Sequence, residues 1–167
     1  CFIEDMPVLI PFGVDQDPHF RITRDIAPKI NKPKPALIHN IMIPALGGPK
    51  GKMSASNENE TIYTTDSPEV VKKKINKYAF SGGQPDIEEH RKKGGNPDID
   101  VSFQYLRIFF EPDDKKLQQI HDDYKSGKML TGELKEILIE KINKFLAIHQ
   151  QKREDARSQL DKFLFKD

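Results

Sequence analysis

The sequence has a single cysteine, almost no net charge and no long run of apolar residues. Its one cysteine, Cys1, excludes an internal disulfide framework and favours a reducing compartment. The 27 basic and 26 acidic residues give a net charge of +1, so any basic surface for a nucleic acid would have to be local. Charged or polar residues interrupt every apolar run, which argues against a membrane-spanning helix of about 20 residues. The five histidines lack the spacing of a metal site, and we expect no bound metal.

The start of the chain and its length bear on how it is organised. The first residues, CFIEDMPVLIPF, begin without an initiator methionine or a basic leader. We therefore interpret the sequence as an internal piece of a longer protein and expect no targeting segment. A length of 167 residues leaves room for one large domain or two small ones.

The first third of the chain predicts a strand, a helix and a second strand. The apolar runs at residues 6–13 and 36–46 predict buried strands, and a helix is expected over residues 17–27, with Pro18 at its first position. Strands joined in this order by a helix pair in parallel, and ligands bind beyond their carboxyl ends. His39, within the second strand, is expected to be a core histidine with a local hydrogen bond.

The character of the sequence changes near residue 62, and we place a domain boundary there. Residues 63–167 show a succession of helical patterns, beginning with Ser67 as an N-cap and Pro68 at the first helical position. The lysines of this first helix, Lys72, Lys73, Lys74 and Lys77, are expected to form a solvated face. A short helix within PDIEEHRKKGG is expected to stop at Gly94 and Gly95. The last pattern predicts a buried stripe of Leu134, Ile137, Leu138, Ile142, Phe145 and Leu146. The stripe is expected to resume at Ala156, Leu160 and Phe163, and the core is expected to include Phe109, Phe110 and Phe145. The expected fold class is α/β over residues 1–62 followed by all-α over residues 63–167.

The first polar motif that could carry chemistry is GVDQ, residues 13–16, directly after the first strand. Gly13 stands where the backbone turns sharply or approaches a ligand. Asp15 and Gln16 at this place can hydrogen-bond ribose hydroxyls or a bound carboxyl or carbonyl group. Taken alone, Asp15 is better explained as an ordinary turn or cap residue.

The second polar segment, GGPKGKMSASNEN at residues 47–59, follows the second strand. Lys50 and Lys52 provide compact positive charges, two serines provide hydroxyl donors, and the glycines allow backbone amides to face an anion. Met53 is expected to be buried, and residues 47–57 are expected to be mobile until the phosphates of a nucleotide bind. In isolation such a composition is better explained by a surface turn. The pairing of two polar motifs one crossover apart is what favours a nucleotide site.

These motifs resemble those of one enzyme family. The KMSAS loop, residues 52–56, resembles the lysine–serine signature loop of class I aminoacyl-tRNA synthetases, and GVDQ resembles the ribose-facing motif of the subgroup that activates tryptophan and tyrosine. The rest of the chain is similar to eukaryotic-type tryptophanyl-tRNA synthetases through the stretches DQDPHFRITRDIAPKI, PKPALIH, KYAFSGG, IEEHRKKGGNPDIDVSFQYL and SGKMLTGELKEILI. Ala55 stands where the general class I loop has a second lysine, as it does in the eukaryotic tryptophanyl branch. Gln84 and Pro85 depart from the basic–acidic pair that is usual after SGG.

The resemblance implies the carboxyl-terminal half of a class I Rossmann-like fold over residues 1–62 and a helical anticodon-binding domain over residues 63–167. It implies ATP-dependent activation of tryptophan to tryptophanyl-adenylate, then transfer to tRNA(Trp), with Mg²⁺ on the ATP and no protein-bound structural metal. This chain by itself is expected to be inactive, as only a part of the enzyme. The resemblance further implies a cytoplasmic homodimer without membrane contact.

The resemblance also implies roles for single residues. The catalytic residues, which stabilise charge on the phosphates, would be Lys52, Ser54 and Ser56. ATP would be bound by Gly13, Asp15, Gln16, Met42, Ile43, Lys50, Lys52, Met53, Ser54, Ala55 and Ser56. Gln16 would also hold the tryptophan or its adenylate. The anticodon of the tRNA would be contacted by Phe80, Ser81, Gly82, Gly83 and Gln84. Phe80, which stands beside two glycines, is the aromatic residue expected to be exposed and to stack on an unpaired base.

Two alternatives stay open on the sequence. The first is a non-catalytic RNA-binding or interaction fragment of such an enzyme, because the histidine–glycine motif of the family is absent from these residues. The second is a relative of the tyrosyl-tRNA synthetases, which share GVDQ and the signature loop. The stretches AFSGG and GGNPDIDV disfavour that second alternative because they resemble the tryptophanyl branch.

Overall fold

A computed structural model describes residues 6–54 and 56–164 of the chain, with the backbone alone described at residues 49 and 50. Packing divides the chain into two compact units, Cys1–Ile43 and Pro44–Asp167. This division lies earlier than the boundary near residue 62, which rests on a change in sequence character. A division of roles at residue 62 stays a prediction.

The first unit is a strand–helix–strand motif. Strands β1, Leu9–Gly13, and β2, Ala36–Asn40, pair in parallel along their whole length. Helix α1, Asp17–Ile26, connects them, with a short 3₁₀ turn on either side. Pro18 lies in the first turn of α1, where a missing amide hydrogen breaks no helical bond. The predicted parallel pairing across a helix is confirmed.

The first unit buries less than the sequence predicts. Phe12 is buried, with its ring centroid 4.4 Å from that of Phe20 and 4.7 Å from that of His39. Leu9 and Ile38 on the same two strands are about half exposed. The prediction of fully buried strands is therefore wrong, because two strands and one helix form too small a layer to cover both faces of a sheet.

The second predicted strand is interrupted. Strand β2 ends at Asn40, and a short strand β3, Pro44–Ala45, pairs antiparallel with β4, Gly48–Lys52. One strand over residues 36–46 is therefore wrong, because residues 41–43 belong to neither strand and from Pro44 the chain pairs with β4 instead of β1. We call β3 and β4 together the hairpin. Its second strand, β4, consists of residues that the sequence predicts to lie in a loop.

The rest of the second unit is helical, as predicted. Its helices are α2, Pro68–Tyr78; α3, Ile87–Lys93; α4, Val101–Tyr105; α5, Asp114–Lys125; and α6, Thr131–Arg157. Ser67 caps α2 by accepting a hydrogen bond from the Val70 amide at 3.4 Å. Gly94 ends α3 with a φ of +73°, in the left-handed region that favours glycine.

Helix α6 packs against α2, α4 and α5 and forms the centre of the helical core. Its predicted stripe is confirmed at the buried residues Leu134, Leu138, Ile142 and Leu146. Phe109 and Phe145 are more than half exposed, so their expected place in the core is wrong. A π-helical turn, Leu106–Phe110, follows α4, and within it Leu106 is buried whereas Phe109 is exposed.

The apolar stripe does not resume after α6 in the part of the chain that is described. The helix ends at Arg157, and Leu160 and Phe163 beyond it are exposed. The expected resumption is therefore wrong, because helical spacing places residues on a common face only while the helix continues.

Candidate functional site

The carboxyl end of β1 brings together part of the predicted nucleotide site. A Cβ on Gly13 would lie 3.0 Å from both Asp15 Oδ1 and Met42 Sδ, so glycine leaves these two side chains room to approach the strand. Gln16 is exposed at the start of α1, and Ile43 is half-buried. The ends of parallel strands, where such sheets bind ligands, thus present a carboxylate, an amide and a thioether.

Sequence reasoning missed a charged cluster beside this motif. His39 Nε2 donates to Asp17 Oδ1 at 2.7 Å, and Arg21 Nε donates to Asp17 Oδ2 at 2.6 Å. The hydrogen bond from His39, more than the contribution of Arg21, holds the pKa of Asp17 below its ordinary value. His39 is exposed and its partner is 22 residues away, so the expectation of a core histidine with a local bond is wrong. The sequence signal for this cluster was the position of His39 near the carboxyl end of β2, where parallel sheets carry polar groups.

The hairpin holds the start of the KMSAS loop. Lys52, which is exposed, ends β4 opposite Pro44 of β3. Met53 is half-buried, so the burial predicted for it is only partial. The firm anchor is Leu46, which is fully buried and whose carbonyl accepts a hydrogen bond from the Phe80 amide at 2.7 Å. Sequence reasoning missed Leu46 because it counted this residue as the end of a longer strand.

The two serines of the KMSAS loop lie together on the surface. Ser54 Oγ and Ser56 Oγ are 2.9 Å apart and share a hydrogen bond. The Ser54 carbonyl accepts two further hydrogen bonds, from the Asn57 amide at 3.1 Å and from the Thr61 hydroxyl at 2.6 Å. Two parts of the predicted site, the Lys50 side chain and Ala55, lie outside the residues that the structure describes.

Residues 80–84, the predicted anticodon contact, form what we call the glycine loop. Phe80 is 42 % exposed, which confirms the exposed aromatic residue that the sequence predicts. Its ring lies beside Gly48 of the hairpin, because a Cβ on that glycine would be 3.9 Å from the ring. The glycine loop therefore starts beside the hairpin, a proximity that the sequence does not predict.

The middle of the glycine loop has no room for side chains. A Cβ on Gly82 would overlap the carbonyl oxygen of Asn96, and one on Gly83 would overlap the hydroxyl of Thr131. Ser81 Oγ accepts a hydrogen bond from the Gly83 amide at 2.9 Å. Close packing and local bonding together hold the backbone of this loop in one conformation.

Asp100 holds the glycine loop from inside the core, and sequence reasoning missed it. This fully buried carboxylate accepts hydrogen bonds from the Gly82 amide and the Tyr124 hydroxyl, each at 2.8 Å. It also caps α4 by accepting from the amides of Ser102 and Phe103. Burial, and then the charge of Asp100, raises the pKa of Tyr124 to about 12, so its hydroxyl remains a donor at neutral pH. An aspartate directly before an apolar helix was the available signal.

A cavity of about 750 Å³ opens beside the far end of the glycine loop. Gln84 and Pro85 line it, together with His90, Thr131 and Glu133. Gln84 Nε2 also donates to the Gly94 carbonyl at 3.0 Å, which fixes the direction of its side chain. The two residues that depart from the family pattern therefore form a wall of this cavity.

The described residues contain neither a metal-binding cluster nor a helix that could span a membrane. Among residues 6–54 and 56–164, no group of three or more histidine, cysteine or carboxylate side chains is placed to hold a metal ion. Within those same ranges, every helix is too short or too polar to cross a membrane.

Comparison with known proteins identifies the family. A family model described as class I tRNA synthetases (W and Y) matches residues 3–147. The tryptophan–tRNA ligase of Sulfurisphaera tokodaii is 59 % identical over 157 residues, which are 94 % of this chain and 41 % of that protein. The cytoplasmic tryptophan–tRNA ligase of Homo sapiens is 54 % identical over 158 residues, 95 % of this chain and 33 % of that protein.

Solved structures agree with this result. The tryptophanyl-tRNA synthetase from Giardia lamblia is 46 % identical, with a TM-score of 0.81 over 87 % of this chain and 36 % of that one. The fold is accordingly that of a class I tRNA synthetase, with mixed helix and strand content and mostly helical. The chain spans well under half the length of these relatives. The chain therefore belongs to the class I tRNA synthetases of the tryptophan and tyrosine family, and its curated relatives at 54 % and 59 % identity are tryptophan–tRNA ligases.

Proposed function

We propose that the protein containing this chain is a tryptophan–tRNA ligase. It joins tryptophan to ATP, releasing pyrophosphate and forming tryptophanyl-adenylate, and then transfers the tryptophanyl group to tRNA(Trp). The observation that carries this proposal is the KMSAS loop, which extends from a β-hairpin with Lys52 and a bonded pair of serines on its surface. It occurs in a chain 59 % identical to a tryptophan–tRNA ligase.

The activation step requires charge stabilisation rather than a protein nucleophile. The carboxylate of tryptophan attacks the α-phosphate of ATP, and the bond to the leaving pyrophosphate breaks. Negative charge therefore grows on phosphate oxygens, and fixed donors directed at them lower the barrier. Lys52 is the proposed cation, and Ser54 and Ser56 are the proposed hydroxyl donors. Mg²⁺ bound by the phosphates of ATP adds further positive charge.

The first unit supplies the proposed contacts to the nucleoside. Asp15 and Gln16 bond the ribose, and Gln16 also bonds the tryptophan or its adenylate. The backbone of Met42 and Ile43 lines the adenine, and Gly13 allows the close approach. The close approach of Asp15 Oδ1 and Met42 Sδ to the Cβ position of Gly13 supports this assignment. The remaining proposed ATP contacts are Lys50, Met53 and Ala55.

The glycine loop is the proposed contact to the anticodon of tRNA(Trp). Phe80 offers an exposed ring on which an unpaired base can stack, and residues 81–84 follow it in a fixed backbone. Gln84 and Pro85 replace the basic–acidic pair of relatives, so we propose hydrogen-bonding contacts there in place of ionic ones.

The organisation of the whole protein is proposed on the same basis. Residues 1–62 belong to a Rossmann-like catalytic domain and residues 63–167 to a helical anticodon-binding domain. We propose a homodimer located in the cytoplasm, the location contained in the name of the human relative. The eukaryotic-type branch is proposed from the KMSAS loop, in which Ala55 stands where the general class I loop has a second lysine.

Amino-acid-dependent exchange of pyrophosphate into ATP tests the proposal. The assay uses the complete enzyme, meaning a protein of full family length in which this chain occupies its matching position. We expect exchange with tryptophan and none with tyrosine. Exchange with tyrosine alone would favour the tyrosyl alternative. Absence of exchange with both amino acids, combined with binding of tRNA, would favour the non-catalytic RNA-binding alternative.

A further inference from the structure

The segment that follows the KMSAS loop is held by buried polar groups. Thr61 is 5 % exposed, and its hydroxyl donates to the Ser54 carbonyl at 2.6 Å. The carbonyl of the same threonine accepts a hydrogen bond from Lys74 Nζ at 2.8 Å. A single residue thus connects the serine that starts the turn of the KMSAS loop to a lysine on helix α2.

Lys74 differs from the other lysines of its helix. Its side chain is 12 % exposed, whereas Lys72, Lys73 and Lys77 are exposed. Lys74 Nζ also contacts Asp66 Oδ2 at 2.7 Å and lies 4.6 Å from the centre of the Tyr63 ring. The run of lysines is therefore not one solvated face, because Lys74 is directed inward and forms an ion pair with Asp66.

Helix α6 holds the same segment from another side. Gln150 Nε2 donates to the carbonyls of Thr64 and Asp66 at 3.0 and 3.1 Å. The Tyr63 amide donates to Asp66 Oδ2 at 2.9 Å, which closes a short turn. Residues 61–66 are therefore fixed to the helical core, and the Thr61 hydroxyl extends that fixed frame to the KMSAS loop.

We propose that Thr61 and Lys74 are positioning residues for the KMSAS loop. Lys74 fixes the Thr61 backbone, and the Thr61 hydroxyl fixes the Ser54 carbonyl, so that the paired hydroxyls of Ser54 and Ser56 stand in the place required for phosphate contact. This inference rests on the proposed function, in which these two serines donate to the phosphates of ATP.

The physical reason is the demand for preorganisation. Hydrogen-bond donors stabilise a transition state most when they are already in place. If the loop has to become ordered first, the free-energy cost of ordering reduces the stabilisation that its donors provide. Ser54 and Ser56 are exposed, and the hydrogen bond from the buried Thr61 to the Ser54 carbonyl connects their backbone to the core. Lys74 itself cannot serve as a phosphate ligand while it is bound to Asp66 and the Thr61 carbonyl.

Thr61→Val in the complete enzyme tests the proposal, because valine keeps the shape and removes only the hydroxyl. We expect kcat for tryptophan-dependent pyrophosphate exchange to fall about 3–10-fold, the worth of one hydrogen bond with a buried partner. Thr65→Val is the matched control, since Thr65 is exposed, and it should stay within about twofold of the parent. Thr61→Ser, which retains the hydroxyl, should recover most of the activity. Hydrogen exchange on the complete enzyme without ATP should show lower protection of residues 53–57 in Thr61→Val only.

Coupling to Lys52 separates positioning from a general loss of stability. In the double variant Thr61→Val with Lys52→Ala, we expect the effect of Thr61→Val to shrink to less than about twofold, because residues that act through one loop are not additive. Independent, multiplying effects would overturn the proposal. So would a lower melting temperature with unchanged kcat in Thr61→Val. If Lys52→Ala alone has no effect, the proposed function fails. If Lys52→Ala is impaired and Thr61→Val behaves like Thr65→Val, only the positioning role fails.

Lys74→Met is the second variant, with Lys73→Met as its control on the same helix. Loss of the ammonium group leaves the Asp66 carboxylate and the Thr61 carbonyl without their shared donor. We expect a lower kcat and a lower protection of residues 53–57 than in Lys73→Met, both measured below the melting transition. Equal kcat in the two variants would contradict the role of Lys74.

Discussion

The KMSAS loop and the glycine loop belong to the same compact unit, but they are held in opposite ways. The glycine loop is enclosed. The buried Asp100 carboxylate accepts a hydrogen bond from the Gly82 amide, and the neighbouring Asn96 carbonyl leaves no room for a side chain at Gly82. The serines of the KMSAS loop are exposed, and their turn is tied to the core through Thr61. The glycine loop can therefore present one fixed shape to a partner, whereas the KMSAS loop is held at the Ser54 carbonyl and, in its proposed role, becomes fully ordered when phosphates bind. The two loops therefore predict different responses to substitution.

The largest effect is expected for Lys52→Ala. In its proposed role, Lys52 meets the phosphate charge that develops as pyrophosphate leaves, and loss of one such donor costs about 10²–10³ in rate, roughly 2.7–4 kcal/mol. In the complete enzyme kcat for tryptophan activation should fall by that factor, with a smaller change in KM for tryptophan and little change in melting temperature. Lys50→Ala should cost less. A turnover of Lys52→Ala equal to that of the parent would leave the loop as an ordinary surface turn.

The next effect is on stability and belongs to the glycine loop. Gly82→Ala would place a methyl group against the Asn96 carbonyl, and we expect a loss of about 3 kcal/mol in the free energy of unfolding. Gly132→Ala is the control, because nothing lies within 4 Å of its Cβ position, and it should be neutral or stabilising. Denaturant titration of the chain measures both. Similar stabilities of the two variants would contradict the rigid character of the glycine loop.

Phe80→Ala separates recognition from chemistry. Stacking of one base on an aromatic ring contributes roughly 1–3 kcal/mol, so KM for tRNA should rise while pyrophosphate exchange stays nearly unchanged. Phe163→Ala removes another exposed aromatic residue and should leave both values as they are. Because the Phe80 ring lies beside Gly48 of the hairpin, an equal loss in both assays would assign Phe80 a structural role instead.

The smallest change is expected in hydrogen exchange. Addition of ATP to the complete enzyme should increase protection over residues 47–57, most of all beyond the end of β4, because the phosphates order an exposed turn. The glycine loop should show no gain, since its amides already have buried partners. Equal protection of residues 47–57 with and without ATP would mean that this segment is as rigid as the glycine loop.

Local sequence signals were reliable wherever the structure depends on neighbouring residues. Ser67 before Pro68, and Gly94 after α3, mark helix ends through bonds within one turn, and the sequence predicts both. The parallel pairing of β1 and β2 follows from the order strand, helix, strand. The exposed Phe80 was likewise predicted from its position before two glycines.

Predictions failed where the outcome depends on distant parts of the chain. His39 was expected in the core, but it bonds Asp17, a residue that only the parallel register brings near. Phe145 lies within an otherwise correct apolar stripe, yet it is exposed beside the π-helical turn. The strand expected over residues 36–46 is interrupted after Asn40, and from Pro44 the chain pairs with residues that come later in the sequence.

The sequence by itself determined the helices, their ends, the parallel crossover and the motifs that identify the family, because all of these depend on short-range periodicity, capping and residue type. Only the tertiary structure decided that Asp100 holds the glycine loop and that Lys74 is turned inward to Thr61. Both are hydrogen bonds between residues far apart in the chain, and such bonds form only after packing has excluded water and brought the partners together. A lysine in a charged run and an aspartate before a helix look the same in a sequence whether they are solvated or buried.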